Sequence, residues 1–153
     1  MNNIFYDSWV TEFQKTAIHL VGHFLFVDCR LPFNTAAIGE CSKSVLGILT
    51  IAITPNLPIM QAYNLLLHEA AHAKIHGPSL LPSTDAQLKI TDFNIDPRAA
   101  MDEDEAEPLA RTWWMWAEVR ATNLESKSGW ETPDMSPAKK VAGRLASLMF
   151  YDG

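Results

Sequence analysis

The segment from Pro58 to His76, PIMQAYNLLLHEAAHAKIH, constrains the fold more than any other part of the chain. Thr54, Pro55, Asn56, Leu57 and Pro58 precede it and Gly77 and Pro78 follow it, and both flanks interrupt regular structure because proline lacks the donor that a ladder or helix needs. Between the flanks, Leu65, Leu66, Leu67, Ala70, Ala71, Ala73 and Ile75 cover much of a helical circumference. A helix that is apolar on most sides has to be packed on most sides. The pattern therefore predicts a central helix from Pro58 or Ile59 to His76, with the other elements arranged around it.

Inside that helix the residues His68, Glu69, Ala70, Ala71 and His72 read as HExxH. Residues four apart share a helix face, so both imidazoles can address one metal ion while Glu69 reaches a water beside it. A buried imidazole pair needs a partner, and a metal satisfies both rings at once. The spacing thus predicts a zinc site with His68 and His72 as ligands and Glu69 as general base. The plainer alternatives are a metal-free pair satisfied by backbone carbonyls and a solvent-facing helix charge at Glu69.

A zinc hydrolase commonly uses three protein ligands and keeps one position for water. His76 continues the four-residue spacing, but it lies about 12 Å along the helix axis from His68, too far for one ion to bridge easily. A third histidine at the metzincin distance would fall on Pro78. The acidic cluster Asp102, Glu103, Asp104, Glu105 and Glu107 is the better source. Its charges suit the N-terminus of a helix running to about Ala121 or Thr122, and a carboxylate there can complete a His, His, Glu set. Two starts are open for that helix: immediately before Pro108, or after an Asp104 and Glu107 capping box that leaves Pro108 one position late.

Elsewhere, Asp7 is placed to cap a helix from about Ser8 to Val21, with Trp9, Phe13, Ala17, Leu20 and Val21 on its apolar side. Phe24 to Val27 and Val45 to Ile53 fit strands, whereas Leu31 to Lys43, with Pro32, Asn34 and Gly39, reads mostly as loop. Leu88 to Phe93 offers a short strand inside a proline- and aspartate-rich stretch from Pro78 to Ala100, for which loop is the safer reading. Ser136 and Pro137 open a last helix with Val141, Leu145, Leu148 and Met149 spaced for packing. Trp113 and Trp116 are expected mainly in the core. The fold class expected is α+β and helix-rich, with a small β-sheet packed against the HExxH helix, in a single domain over 1–153.

Composition narrows the partners. A net charge of -6 with scattered Lys and Arg argues against nucleic-acid binding, since a phosphate binder gathers its basic residues on one face. The chain opens without a basic region followed by an apolar run and holds no stretch of membrane-spanning length, so no membrane association and a cytoplasmic location are expected. Cys29 and Cys41 are expected as buried or free thiols, and no CxxC site is present.

The pair HEAAHAKIHG and EAEPLARTW resembles the ImmA/IrrE family of zinc peptidases, which combine a His-Glu helix motif with a downstream Glu-Ala-(Asn or Asp)-x-Phe-Ala segment. The resemblance covers about 48–116. It implies a minimal zincin-like fold, Zn2+ as cofactor, Glu105 as third ligand, Ala106 as its small neighbour, and Glu107 in place of the Asn or Asp that supports a liganding histidine. It also implies a protein or peptide substrate, such as a transcriptional repressor. Tyr63, His23, His76 and Tyr151 are the candidates for a second donor to the oxyanion. The competing functions are a catalytically inactive zincin-fold binding or regulatory protein, using the Trp-rich helix or the 78–100 loop, and a zinc hydrolase of non-peptide substrates.

Overall fold

A computed structural model describes residues 7–29, 38–55, 57–80, 90–92, 106–128 and 136–152. The described chain is α+β: helices α1 (Val10–Val21), α2 (Ile59–Ile75), α3 (Ala106–Ser128) and α4 (Pro137–Leu148), and strands β1 (Phe26–Asp28), β2 (Gly39–Lys43), β3 (Leu49–Ile53) and β4 (Ile90–Asp92). The strands form one sheet in the order β1-β3-β2-β4. β1 runs parallel to β3, with Val27 opposite Ile51, while β2 is antiparallel to both β3 and β4, with Cys41 opposite Ile51 and Ile90.

The apolar helix is central, as its composition requires. α2 packs against α1, α3 and α4 and against β2 and β3. Leu65, Leu66 and Leu67 are all at most 2% exposed. Burying each contributes roughly 2 kcal/mol before conformational entropy is counted. Thr54 and Pro55 end β3, Pro58 leads into α2, and Gly77 opens a short 3-10 turn that ends it.

The other helices follow their patterns with local changes. α1 buries Phe13, Thr16, Ala17, Leu20 and Val21. The expected Asp7 cap is replaced by a 3-10 turn over Asp7–Trp9, and Trp9 occupies the capping position without a side-chain hydrogen bond. α3 extends past the expected Ala121 or Thr122 to Ser128, because the first strong helix breaker is Gly129. Pro108 lies within its first turn, where a backbone N–H has no intrahelical acceptor and its loss is harmless. In α4, Ser136 caps the helix by accepting from the Lys139 N–H at 3.3 Å. Val141, Leu145 and Leu148 point inward, but Met149 falls beyond the helix end and is exposed.

The sheet departs further from expectation. The predicted loop Leu31 to Lys43 contains β2, and the predicted strand from Val45 starts only at Leu49. Gly47 explains the second change: its φ of +83° belongs to a tight turn, closed by a Gly47 N–H to Ser44 O bond of 2.8 Å, that leaves Val45 and Leu46 exposed at a hairpin tip. β2 is hard to see in sequence because its inward residues are Gly39 and Cys41, both small, rather than branched apolar ones. The third change is β4, a strand where loop was the safer reading. β1 also starts two residues later than expected, leaving Phe24 and Phe26 in edge-to-face contact with centroids 4.8 Å apart at the surface. Cys29 and Cys41 are both buried. Among the described residues, no helix is long and apolar enough to cross a membrane.

Candidate metal centre

The second half of α2 carries His68, Glu69 and His72, all buried. The two imidazoles stand edge to face, with centroids 4.5 Å apart and planes at 88°, and their Nε2 atoms are 3.0 Å apart. Two nitrogens bound to one tetrahedral zinc at about 2.0–2.1 Å are separated by about 3.3 Å. The pair therefore needs only a few tenths of an ångström of opening to address one ion.

Glu107, in the first turn of α3, reaches across to α2 and places its Oε2 against the Nδ1 of His68. It is 1% exposed, so this contact is shielded from water. A carboxylate at Nδ1 takes that N–H and leaves the Nε2 lone pair of His68 facing His72. That is the supporting arrangement metal-bound histidines commonly have. The same geometry lets His72 donate an Nε2–H bond to His68, and the two Nε2 atoms are the ones that would serve as ligands to an ion.

Glu69 is 0% exposed, which excludes the reading of a solvent-facing helix charge. Its carboxylate lies between α2 and the start of β2, close against Gly39: a Cβ built at Gly39 would stand 2.8 Å from Glu69 Oε2. This neighbour was not visible in sequence, where Gly39 sits in apparent loop. The only signal for it is the alternation of two small residues, Gly39 and Cys41, between the polar Glu40 and Ser42.

Glu105, the predicted third ligand, and Glu103 lie outside the described residues. Among the described residues no group of three His, Cys, Asp or Glu side chains is gathered for a metal ion. The contacts that the structure does make are His68 with His72 and His68 with Glu107, while the Glu69 carboxylate lies by Gly39. Of the four candidate oxyanion donors, His76 adjoins this group, its ring tilted 34° to that of His72 with centroids 5.6 Å apart. His23 is exposed and within 3.2 Å of the Phe24 carbonyl. Tyr151 packs on Trp116, and its carbonyl oxygen is 2.7 Å from His19 Nε2. Tyr63 is fully buried, with no hydrogen-bond partner for its hydroxyl among the described residues. Burial above all, and then the Glu118 carboxylate, push its phenol well above the usual range, while Arg144 opposes them.

No family model, curated protein or solved structure matches the chain. The functional reading accordingly rests on the His68, Glu69, His72 and Glu107 geometry and on the sequence resemblance.

Proposed function

We propose that this chain is a zinc-dependent peptidase with a minimal zincin-like domain, related in design to the ImmA/IrrE enzymes and acting on a protein or peptide in the cytoplasm. The observation that carries the reading is the 3.0 Å approach of the His68 and His72 Nε2 atoms, with the Glu107 carboxylate behind His68. Two nitrogen donors on one helix face, one of them oriented by a buried acid from a second helix, suit a divalent cation of zinc's preferences.

In this reading His68 and His72 hold the ion through Nε2, and Glu105 is the proposed third ligand. When bound, zinc supplies Lewis acidity that polarises the scissile carbonyl and makes the attacking water more acidic. Glu69 accepts the proton of that water and delivers it to the leaving amine, the two proton transfers peptide hydrolysis requires. Glu107 fixes the tautomer and ring plane of His68. His76 is the candidate hydrogen-bond donor to the oxyanion, because it stands beside His72 on the same helix. A transcriptional repressor is the substrate suggested by the resemblance.

The test compares wild type with Glu69→Gln on a peptide library and on candidate repressor proteins, after both are shown to carry equal zinc. The expected result is cleavage by wild type and a loss of about 10²-fold or more in Glu69→Gln, the range of a general base. Equal cleavage by the two proteins would reject Glu69 as base. Zinc uptake without cleavage of any peptide would reject peptidase activity in favour of a binding role or another substrate.

A further inference from the structure

We propose that Gly39 is a positioning residue whose missing side chain makes the seat for the Glu69 carboxylate. The inference rests on the reading of Glu69 as general base and extends it to a residue on the sheet.

Gly39 opens β2, an interior strand, pairing with Ile53 of β3 on one side and Asp92 of β4 on the other. Along β2 the buried positions are Gly39 and Cys41, so a side chain at 39 would project toward α2. There it would meet Glu69 Oε2 at 2.8 Å and the Leu65 Cδ1 and Cδ2 atoms at 3.0 and 3.2 Å. Leu65 and Glu69 are four apart and form one ridge of α2, which lies over the strand at this point. The backbone at Gly39 lies outside the positive-φ region, unlike that at Gly22 and Gly47, so space and not conformation selects glycine here.

α2 cannot withdraw to make room. It is packed against α1, α3 and α4 as well as the sheet, and its Leu66, Ala70 and Ala73 are 0% exposed. A methyl group at position 39 is therefore accommodated by turning the Glu69 carboxylate, the far end of the longest side chain in the contact. Moving a proton-transfer group by about 1 Å can lower the rate about 10²-fold, without touching ligands held elsewhere. His68 and His72 contact each other, and His68 contacts Glu107, so zinc affinity is predicted to persist in Gly39→Ala.

The experiment is a double-mutant cycle on metal-free protein, joined to kinetics on the zinc-loaded enzyme. Urea midpoints are measured for wild type, Gly39→Ala, Glu69→Ala and the double variant. Gly39→Ala is expected to lower the midpoint, and that drop is expected to shrink by roughly half or more when Glu69 is already alanine, as for side chains in direct contact. Should Gly39→Ala alone not fold, recovery of folding in the double variant supports the proposal, and failure of both to fold overturns it. Additive midpoints overturn it as well, because they place the clash on Leu65 or the backbone. With zinc bound, Gly39→Ala is expected to lower kcat about 10²-fold at unchanged zinc stoichiometry; wild-type kcat in that variant overturns the proposal. A wild type that takes up no zinc rejects the peptidase reading, while the cycle on metal-free protein still decides the seat at Gly39.

Discussion

Replacing Glu107 gives the sharpest separation between a metal-supporting carboxylate and an ordinary helix-start acid. Its Oε2 contacts His68 Nδ1 across the α2–α3 interface, and the residue is 1% exposed. Glu107→Gln retains an oxygen that accepts the Nδ1–H bond but removes the charge that makes His68 a better donor to a cation. Glu107→Ala removes both and lets the ring turn. Loss of such a partner typically costs 10–100-fold in metal affinity, so about tenfold is expected for Gln and about a hundredfold for Ala. These correspond to about 1.4 and 2.7 kcal/mol. Stability of the metal-free protein follows a different order of causes: Ala leaves a buried Nδ1–H without its acceptor, a cost of about 1–3 kcal/mol, whereas Gln forfeits chiefly the charge at the α3 N-terminus, about 0.3–1 kcal/mol. Zinc competition against a chelator and urea unfolding in excess chelator measure the two separately. If both variants bind zinc as tightly as wild type while losing stability, Glu107 is a packing and capping residue and the metal-support argument is refuted.

Two further outcomes test the frame around the site. Tyr63→Phe is expected to leave stability at neutral pH nearly unchanged, since the hydroxyl has no partner among the described residues, but to alter the alkaline limb. The folded phenol is held above its unfolded value, so its stabilising contribution is complete below about pH 10 and is lost as pH rises beyond it; urea unfolding from neutral to alkaline pH should show a shallower decline in Tyr63→Phe. Trp113 is the largest fully buried side chain among the described residues, and Trp113→Ala should cost about 3–5 kcal/mol in urea unfolding, whereas Trp114→Ala, at an exposed position, should cost far less.

The sequence makes α2 legible because its boundaries and its burial have the same local causes: prolines before it, glycine after it, and leucines and alanines on most sides. α4 is legible for a similar reason, a serine cap followed by proline. β2 is not, because Gly39 and Cys41 face inward with little apolar area and their burial comes from α2 lying across them. The register of the site is equally mixed. The HExxH spacing places His68 and His72 together by helix geometry alone, and their contact is local. The contacts of Glu107 with His68 and of Gly39 with Glu69 join distant parts of the chain; the first was reachable through the family resemblance, the second only through the packed structure.

The central claim is that His68 and His72 hold a zinc ion, and the most direct measurement is zinc titration of the metal-free protein combined with X-ray absorption on the loaded form. One equivalent of zinc is predicted, with two imidazole nitrogens at about 2.0–2.1 Å and the remaining positions filled by oxygen; His72→Ala should abolish the imidazole pair. A wild-type protein that binds no zinc, or binds it with a shell unchanged in His72→Ala, contradicts the claim.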